Sequence, residues 1–276
     1  MLFKINGISY KVDINNFPAG EQGVVLPKRL PHRTDNIFIE YDWPKYKDSG
    51  IMVLAQLLDA LAAKYALDNY KKVLLLKYVP YSRQDRVCNK GESHSLKVFT
   101  TLINSMEFDR VITWDNHSEV ATSLLNNCNN IPQWNQVRRF TLWDRLIKGE
   151  TMLVSPDAGA AKKTLELAKE SRTEVFVRAD KRRDTKTGAI ISCEVIDQSI
   201  AEWNDNFLIV DDICDGGGTF IGLGEAIKKI NPSAKLELFV THGFFTKGLD
   251  KLLKLYDTIY TTDSVCRIKN DKLVII

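Results

Sequence analysis

No run of this sequence is apolar for the length a membrane-spanning helix needs. The start, Met1-Leu-Phe-Lys-Ile-Asn-Gly7, also lacks the long apolar core and small-residue cleavage site of a secretory signal. These absences predict a soluble protein of the cytoplasm with no membrane partner. Excess charge is missing too: 38 Lys and Arg stand against 35 Asp and Glu, a formal net charge of +3. That balance argues against nucleic acid as a partner. Cysteine is sparse. Cys88, Cys128, Cys193, Cys214 and Cys266 are odd in number, widely spaced and free of any C-x-x-C pair, which argues against a disulfide framework and a zinc site and predicts reduced thiols. No low-complexity segment occurs. What remains is an ordinary globular composition, 44% hydrophobic over 276 residues, enough to bury about two domains.

Apolar runs of strand length alternate with helical patterns, which predicts a parallel α/β architecture. The strand candidates are Asn36 to Tyr41, Val73 to Lys77, Val111 to Trp114, Met152 to Ser155, Glu174 to Val177, Phe207 to Val210, Leu236 to Val240 and Thr258 to Tyr260. Leu54, Leu58, Leu61 and Tyr65 share one helical stripe, as do Leu96, Phe99, Ile103 and Met106. Ile5-Asn-Gly-Ile8 reads as a small hairpin. The polar stretch Asn126 to Asn135 interrupts the alternation, which then restarts, so two domains are expected over 1–140 and 141–276.

The stretch richest in chemistry is Phe207-Leu-Ile-Val-Asp-Asp-Ile-Cys-Asp-Gly-Gly-Gly-Thr219, where an apolar strand stops at two carboxylates and opens into a glycine-rich loop. Gly216, Gly217 and Gly218 let the backbone approach an anion with successive N–H groups turned inward. Thr219 adds a hydroxyl, and a helix over Phe220 to Ile230 would present its positive end to the same anion. Asp211 and Asp212 would be repelled by phosphate alone, so they suit sugar hydroxyls or a bound Mg²⁺. The run points to a phosphorylated ribose. A ligand-free turn would explain two acids and three glycines poorly. Cys214 within it is either a reactive thiol or a small spacer.

Other clusters follow strand ends, where open α/β sheets place ligands. Arg83, Gln84 and Asp85 offer a planar cation, an amide and a carboxylate in succession, a mixture suited to a nucleotide phosphate and its sugar. His117 falls at a site rim, before a helix expected from Ser118. Asp157, after Met152 to Ser155, suits Mg²⁺ or the cap of a helix over Ala160 to Lys169, and the two roles are compatible. Lys181, Arg182 and Arg183 form a cationic run before the polar segment Asp184 to Gly188. Such runs are usually solvated faces.

The glycine loop resembles the ribose-phosphate signature of type I phosphoribosyltransferases and of ribose-phosphate diphosphokinases, also called phosphoribosyl pyrophosphate synthetases. Val79-Pro-Tyr-Ser-Arg-Gln-Asp-Arg86 is similar to the nucleotide-binding segment of the diphosphokinases and has no transferase equivalent. Trp114-Asp-Asn-His117, Val154-Ser-Pro-Asp-Ala-Gly159, Asp180-Lys-Arg-Arg183, Thr241-His-Gly243 and Thr261-Thr-Asp263 follow in that family's order. The resemblance runs from about Phe17 to Asp263.

It implies an α/β fold of two similar phosphoribosyltransferase-like domains, each a mainly parallel sheet flanked by helices. It also implies an enzyme that passes the β,γ-diphosphoryl group of ATP to the C1 hydroxyl of ribose 5-phosphate for nucleotide and NAD synthesis. Arg83, Gln84, Asp85 and His117 would then bind ATP, and His117 with Asp157 would hold Mg²⁺. Asp211, Asp212, Asp215, Gly216, Gly217, Gly218 and Thr219 would bind ribose 5-phosphate. Lys181 and Arg183, on a flexible loop, would close over the transferring group. Phe17 and Glu21 resemble a segment that reaches the adenine of a neighbouring subunit, so a homo-oligomer, a dimer or larger, is implied; an ordinary loop is the other reading, since Ala19 stands where the family usually has Asp. Lys163 stands where a family arginine is common. The chain is also shorter than typical members at both ends, which makes allosteric control by ADP or phosphate an open expectation. The rivals are a phosphoribosyltransferase and a non-catalytic regulatory subunit.

Overall fold

The computed structural model describes residues 1–65, 70–173, 176–183, 190–195 and 206–276. The chain divides into two compact units, Met1–Ile131 and Pro132–Ile276. The break falls ahead of the 140/141 boundary expected from composition. Val137 and Phe140 lie in the same buried cluster as Leu153 and Leu208, so they belong with the second unit's core.

The first unit opens on the hairpin β1 (Leu2–Ile5) and β2 (Ile8–Lys11). Asn6 at φ 51° and Gly7 at φ 81° make its turn, two left-handed positions in succession that suit an Asn-Gly pair. A second hairpin, β3 (Asp13–Asn16) and β4 (Gln22–Val25), stands as its own two-stranded sheet. Then come β5 (Asn36–Glu40), α1 (Trp43–Tyr46), α2 (Ser49–Lys64), β6 (Lys71–Leu76), α3 (Ser95–Asn104), β7 (Arg110–Trp114), α4 (Glu119–Leu124) and β8 (Cys128–Ile131). The main sheet has the order β2-β1-β5-β6-β7-β8. Strands β5 to β8 are parallel, with β1 and β2 antiparallel at one end. Val53, Leu54, Leu57 and Leu61 of α2 and Leu96, Phe99 and Ile103 of α3 are buried with Ile37, Ile39 and Leu74 of the sheet. β8 lies inside the stretch read as a polar interruption. Its edge position allows a polar sequence, and the Asn130 carboxamide accepts from the Thr113 hydroxyl at 3.2 Å and the Asn116 N–H at 3.1 Å.

The second unit contains α5 (Gln133–Val137), α6 (Leu142–Ile147), β9 (Met152–Ser155), α7 (Ala161–Glu170), β10 (Phe176–Arg183), β11 (Ile190–Val195), β12 (Asn206–Cys214), α8 (Gly218–Ile230), β13 (Lys235–Gly243), β14 (Thr258–Thr261) and β15 (Leu273–Ile275). Its sheet order is β11-β10-β9-β12-β13-β14-β15, parallel except for β11. The apolar run Phe207 to Val210 of β12 follows from burial on both faces, and in β13 the run from Leu236 to Val240 is broken by Glu237, which is buried against Arg145. Phe207 and Ile209 join a core with Phe220, Leu223 and Ile227 of α8, whereas Leu208 and Val210 join one with Leu142, Leu146 and Leu167. Alternate residues of one strand therefore serve opposite layers.

Several boundaries differ from the sequence reading, and two strand extensions bear on the site. β12 continues past Val210 to Cys214 because it pairs with β13 along that length, Asp211 opposite Val240 and Cys214 opposite Gly243. β10 likewise continues through Lys181 and Arg183. Beyond its three-residue pairing with β9 it runs on as an antiparallel ribbon with β11, Lys181 opposite Cys193. At the end of β13, a Cβ on Gly243 would sit 2.3 Å from the Phe245 ring and 2.8 Å from Thr261 Oγ1. Gly243→Ala is therefore expected to destabilise the fold by about 1–3 kcal/mol, the usual cost of overpacking, as a lower urea midpoint; an unchanged midpoint would contradict this packing.

Candidate functional site

In the second unit the strand order reverses between β9 and β12, with β10 on one side and β13 on the other, the place where doubly wound sheets bind ligands. Asp157 follows β9 there, and Asp211 and Asp212 lie in the carboxyl-terminal part of β12. The Lys163 ammonium of α7 bonds Asp212 Oδ2 at 3.2 Å, with both side chains largely buried. The Asp212 N–H donates to Asp211 Oδ1 at 2.9 Å. Burial first, then the charge and hydrogen bond of Asp212, then the charge of Asp157, raise the Asp211 carboxyl well above its usual range. Three carboxylates thus share this corner with a lysine. The Asp157 carboxylate accepts from the Ala160 N–H at 3.0 Å, bracing the turn into α7.

Asp215, Gly216 and Gly217 form the turn between β12 and α8, and the helix starts at Gly218, earlier than the expected Phe220. Gly217 is the cap residue at φ 74°, a left-handed conformation natural to glycine. The first intrahelical bond runs from Ile221 N–H to the Gly217 carbonyl. The N–H groups of Gly218, Thr219 and Phe220 precede it, so the positive helix end is presented at the turn beside the Thr219 hydroxyl. The structure thus gathers Asp211, Asp212, Asp215, the three glycines and Thr219 on one strand–turn–helix corner.

In the first unit, Arg83 and Gln84 are exposed on the loop after β6 and Asp85 is buried. Tyr81, at φ 62°, anchors this loop. Its ring packs on Trp43 and Phe99 at centroid distances of 5.9 and 6.0 Å, and its hydroxyl bonds the Asp48 carboxylate. Arg86 Nε donates to Asp85 Oδ1 at 2.8 Å. That bond, with smaller effects of Ser118 and His117, holds the Asp85 carboxyl below its usual range against the opposing pull of burial. Asp85 and His117 are therefore electrostatic neighbours. His117 is exposed just before α4, whose cap residue is Ser118. The residue ahead of it is fixed by the Asn130 bond and by Asn116 Nδ2 donating to Thr122 Oγ1 at 2.9 Å.

Phe17 and Glu21 sit at the tip of the β3–β4 hairpin rather than in an open loop. The Phe17 N–H donates to the Glu21 carbonyl at 2.9 Å, and both residues are exposed. Lys181 and Arg183 lie on strand β10, ahead of residues 184–189, which fall outside the described residues together with the expected loop segment Asp184 to Gly188. Among the described residues no three His, Cys, Asp or Glu side chains form a ready metal-ligand set. Cys214 is buried, and desolvation followed by the charges of Asp211 and Asp215 pushes its thiol up to about 12. Native alkylation near neutral pH is expected to modify exposed Cys88 and spare Cys214 and Cys266, as read by peptide mass spectrometry. Labelling of Cys214 as fast as Cys88 would contradict that burial.

Thr246 and Lys247 escaped the sequence reading. The Thr246 hydroxyl donates to Asp215 Oδ1 at 2.7 Å, and the Lys247 stem lies against Gly216. Their only sequence signal is position after a neighbouring strand end.

No protein-family model matches the chain. A ribose-phosphate pyrophosphokinase of Pyrococcus furiosus is 28% identical over 257 residues, spanning 92% of this chain and 86% of that protein. One of Bradyrhizobium diazoefficiens is 30% identical over 235 residues, spanning 80% of this chain and 69% of that protein. In fold, the crystal structure of phosphoribosylpyrophosphate synthetase from Mycobacterium smegmatis matches with a TM-score of 0.78 at 17% identity, covering 97% of this chain and 86% of that one. The parallel sheets flanked by helices, and this sequence similarity over most of the chain, make the protein a member of the ribose-phosphate pyrophosphokinase family.

Proposed function

We propose that the protein transfers the diphosphoryl group of ATP to the C1 hydroxyl of ribose 5-phosphate, giving phosphoribosyl pyrophosphate and AMP. The observation that carries this reading is the β12–α8 corner, where a left-handed Gly217, a helix start and the acids Asp211 and Asp212 meet. Backbone N–H groups and Thr219 suit the 5-phosphate, and the carboxylates suit the ribose hydroxyls. In the first unit Arg83, Gln84, Asp85 and His117 are assigned to ATP. Phe17 and Glu21, exposed at a hairpin tip, are assigned to the adenine held by a neighbouring copy in a homo-oligomer. The chain would act in the cytoplasm and supply nucleotide and NAD synthesis.

The reaction places little covalent work on the protein. The C1 oxygen attacks the β-phosphorus, the bond from that phosphorus to the α,β-bridging oxygen breaks, and its electron pair leaves with AMP as the C1 hydroxyl loses its proton. Lys181 and Arg183 would neutralise charge on the transferring group, and the two substrate sites would fix its approach. Carboxylate oxygens such as those of Asp157 are the donors a hard cation prefers. Mg²⁺ is assigned to Asp157 in this unit and to His117 in the first. When bound, it would neutralise phosphate oxygens. Incubation with ATP, Mg²⁺ and ribose 5-phosphate tests the reading: AMP should form only with all three present. Absence of AMP would overturn it, and pyrophosphate release from phosphoribosyl pyrophosphate plus a base would mark a transferase instead.

A further inference from the structure

The segment after β13 braces the β12–α8 turn from outside. Phe244 and Phe245 N–H groups donate to the Cys214 carbonyl at 2.8 and 3.1 Å, and the Thr246 N–H donates to the Asp215 carbonyl at 2.9 Å. The Thr246 hydroxyl adds its 2.7 Å bond to Asp215 Oδ1. These bonds hold the next residue, Lys247, against the turn. A Cβ built on Gly216 would lie 3.3 Å from both Cδ and Cε of Lys247, so the lysine stem runs over the glycine backbone. Its ammonium is one bond beyond Cε, on an exposed residue.

The local charges give this placement a consequence. Asp211, Asp212 and Asp215 lie in the strand and turn, and Lys163 is already engaged by Asp212. A phosphate dianion entering the turn meets these acids, and the partial positive charge of the helix end offsets them in part. A lysine is a compact point charge on a flexible stem, able to follow a phosphate without fixed bidentate geometry. We propose that Lys247 is a further substrate-binding residue, its ammonium pairing with the phosphate of the sugar phosphate held at the β12–α8 turn. This rests on the ribose 5-phosphate reading above. Lys247 then favours a phosphorylated pentose over the free sugar.

Calorimetric titration of the full chain, Lys247→Gln and Lys247→Arg with ribose 5-phosphate and separately with ATP tests it. Lys247→Gln should weaken ribose 5-phosphate about five- to twentyfold, the scale of one charge-assisted hydrogen bond at a partly exposed site. ATP affinity should stay within about twofold, and Lys247→Arg should restore most of the loss because the charge is kept. The dependence of ribose 5-phosphate affinity on salt should also be shallower in Lys247→Gln, which a purely structural role would not produce. Unchanged ribose 5-phosphate affinity in Lys247→Gln, or equal loss of both ligands, overturns the inference and leaves the proposed function standing. A wild-type chain that binds no ribose 5-phosphate overturns the proposed function and this inference with it.

Discussion

Replacing Lys181 or Arg183 by alanine is expected to lower kcat about a hundredfold or more, the scale of losing a preorganised donor to transition-state charge, while KM for either substrate moves far less. The reason is where charge changes. Diphosphoryl transfer accumulates negative charge on the transferring group and the leaving oxygen, and a cation that meets it only there contributes to turnover rather than to binding. Both residues lie on β10, in the length where that strand has left its parallel pairing with β9 and runs with β11 alone. Steady-state kinetics on the two variants decide the matter. Near-normal kcat in either would remove that residue from the mechanism, and a rise in KM alone would reassign it to ground-state binding.

The second large effect is expected at Gly217. Its φ of 74° is costly for any residue with a Cβ, and a Cβ there would also approach the Leu252 side chain at 3.2 Å. A β-branched side chain adds stiffness, so Gly217→Val should shift the backbone that carries the first N–H groups of α8. Ribose 5-phosphate affinity should fall by roughly a hundredfold if those groups bind its phosphate, since distorting the turn removes several such contacts together. ATP affinity should change little, because its assigned residues belong to the other unit. Asp215→Ala combined with Thr219→Ala, which leaves the glycine backbone intact, should weaken ribose 5-phosphate in the same selective way. Calorimetry with each ligand separates the outcomes. Equal loss of both would signal general unfolding, and no loss would remove the turn from the phosphate site.

The elements legible in the sequence are those whose local chemistry and tertiary context agree. Asn6-Gly7 announces its turn because the backbone needs two left-handed residues there. The runs Phe207 to Val210 and Leu236 to Val240 announce central strands because both faces are buried. Strands that end beyond the apolar run are harder to read. Asp211 to Cys214 stay in β12 because β13 continues beside them, and the hydrogen-bond ladder carries no hydropathy signal. The cationic Lys181 to Arg183 stay in β10 for the same reason, with β11 as partner. At β8 a polar sequence forms an edge strand by backbone pairing with β7, and the Asn130 carboxamide ties it to Thr113 and Asn116.

The site divides in the same way. Glycines, acids and the threonine of the β12–α8 corner are consecutive, so spacing reveals them. Lys163 meets Asp212, and Thr246 meets Asp215, only through the packing of separate elements onto one sheet end. Periodicity within either segment contains no trace of those pairs. Similarly, the influence of His117 on Asp85 joins the loops that follow β6 and β7, two parallel neighbours.

The most direct measurement follows radioactive phosphorus placed in the β position of ATP through one round of reaction with ribose 5-phosphate and Mg²⁺. Diphosphoryl transfer is expected to carry the whole label onto the sugar product and leave AMP unlabelled. Label retained in ADP would mean transfer of the γ-phosphoryl group alone, label in free pyrophosphate would mean nucleotidyl transfer or hydrolysis, and either result would contradict the proposed reaction.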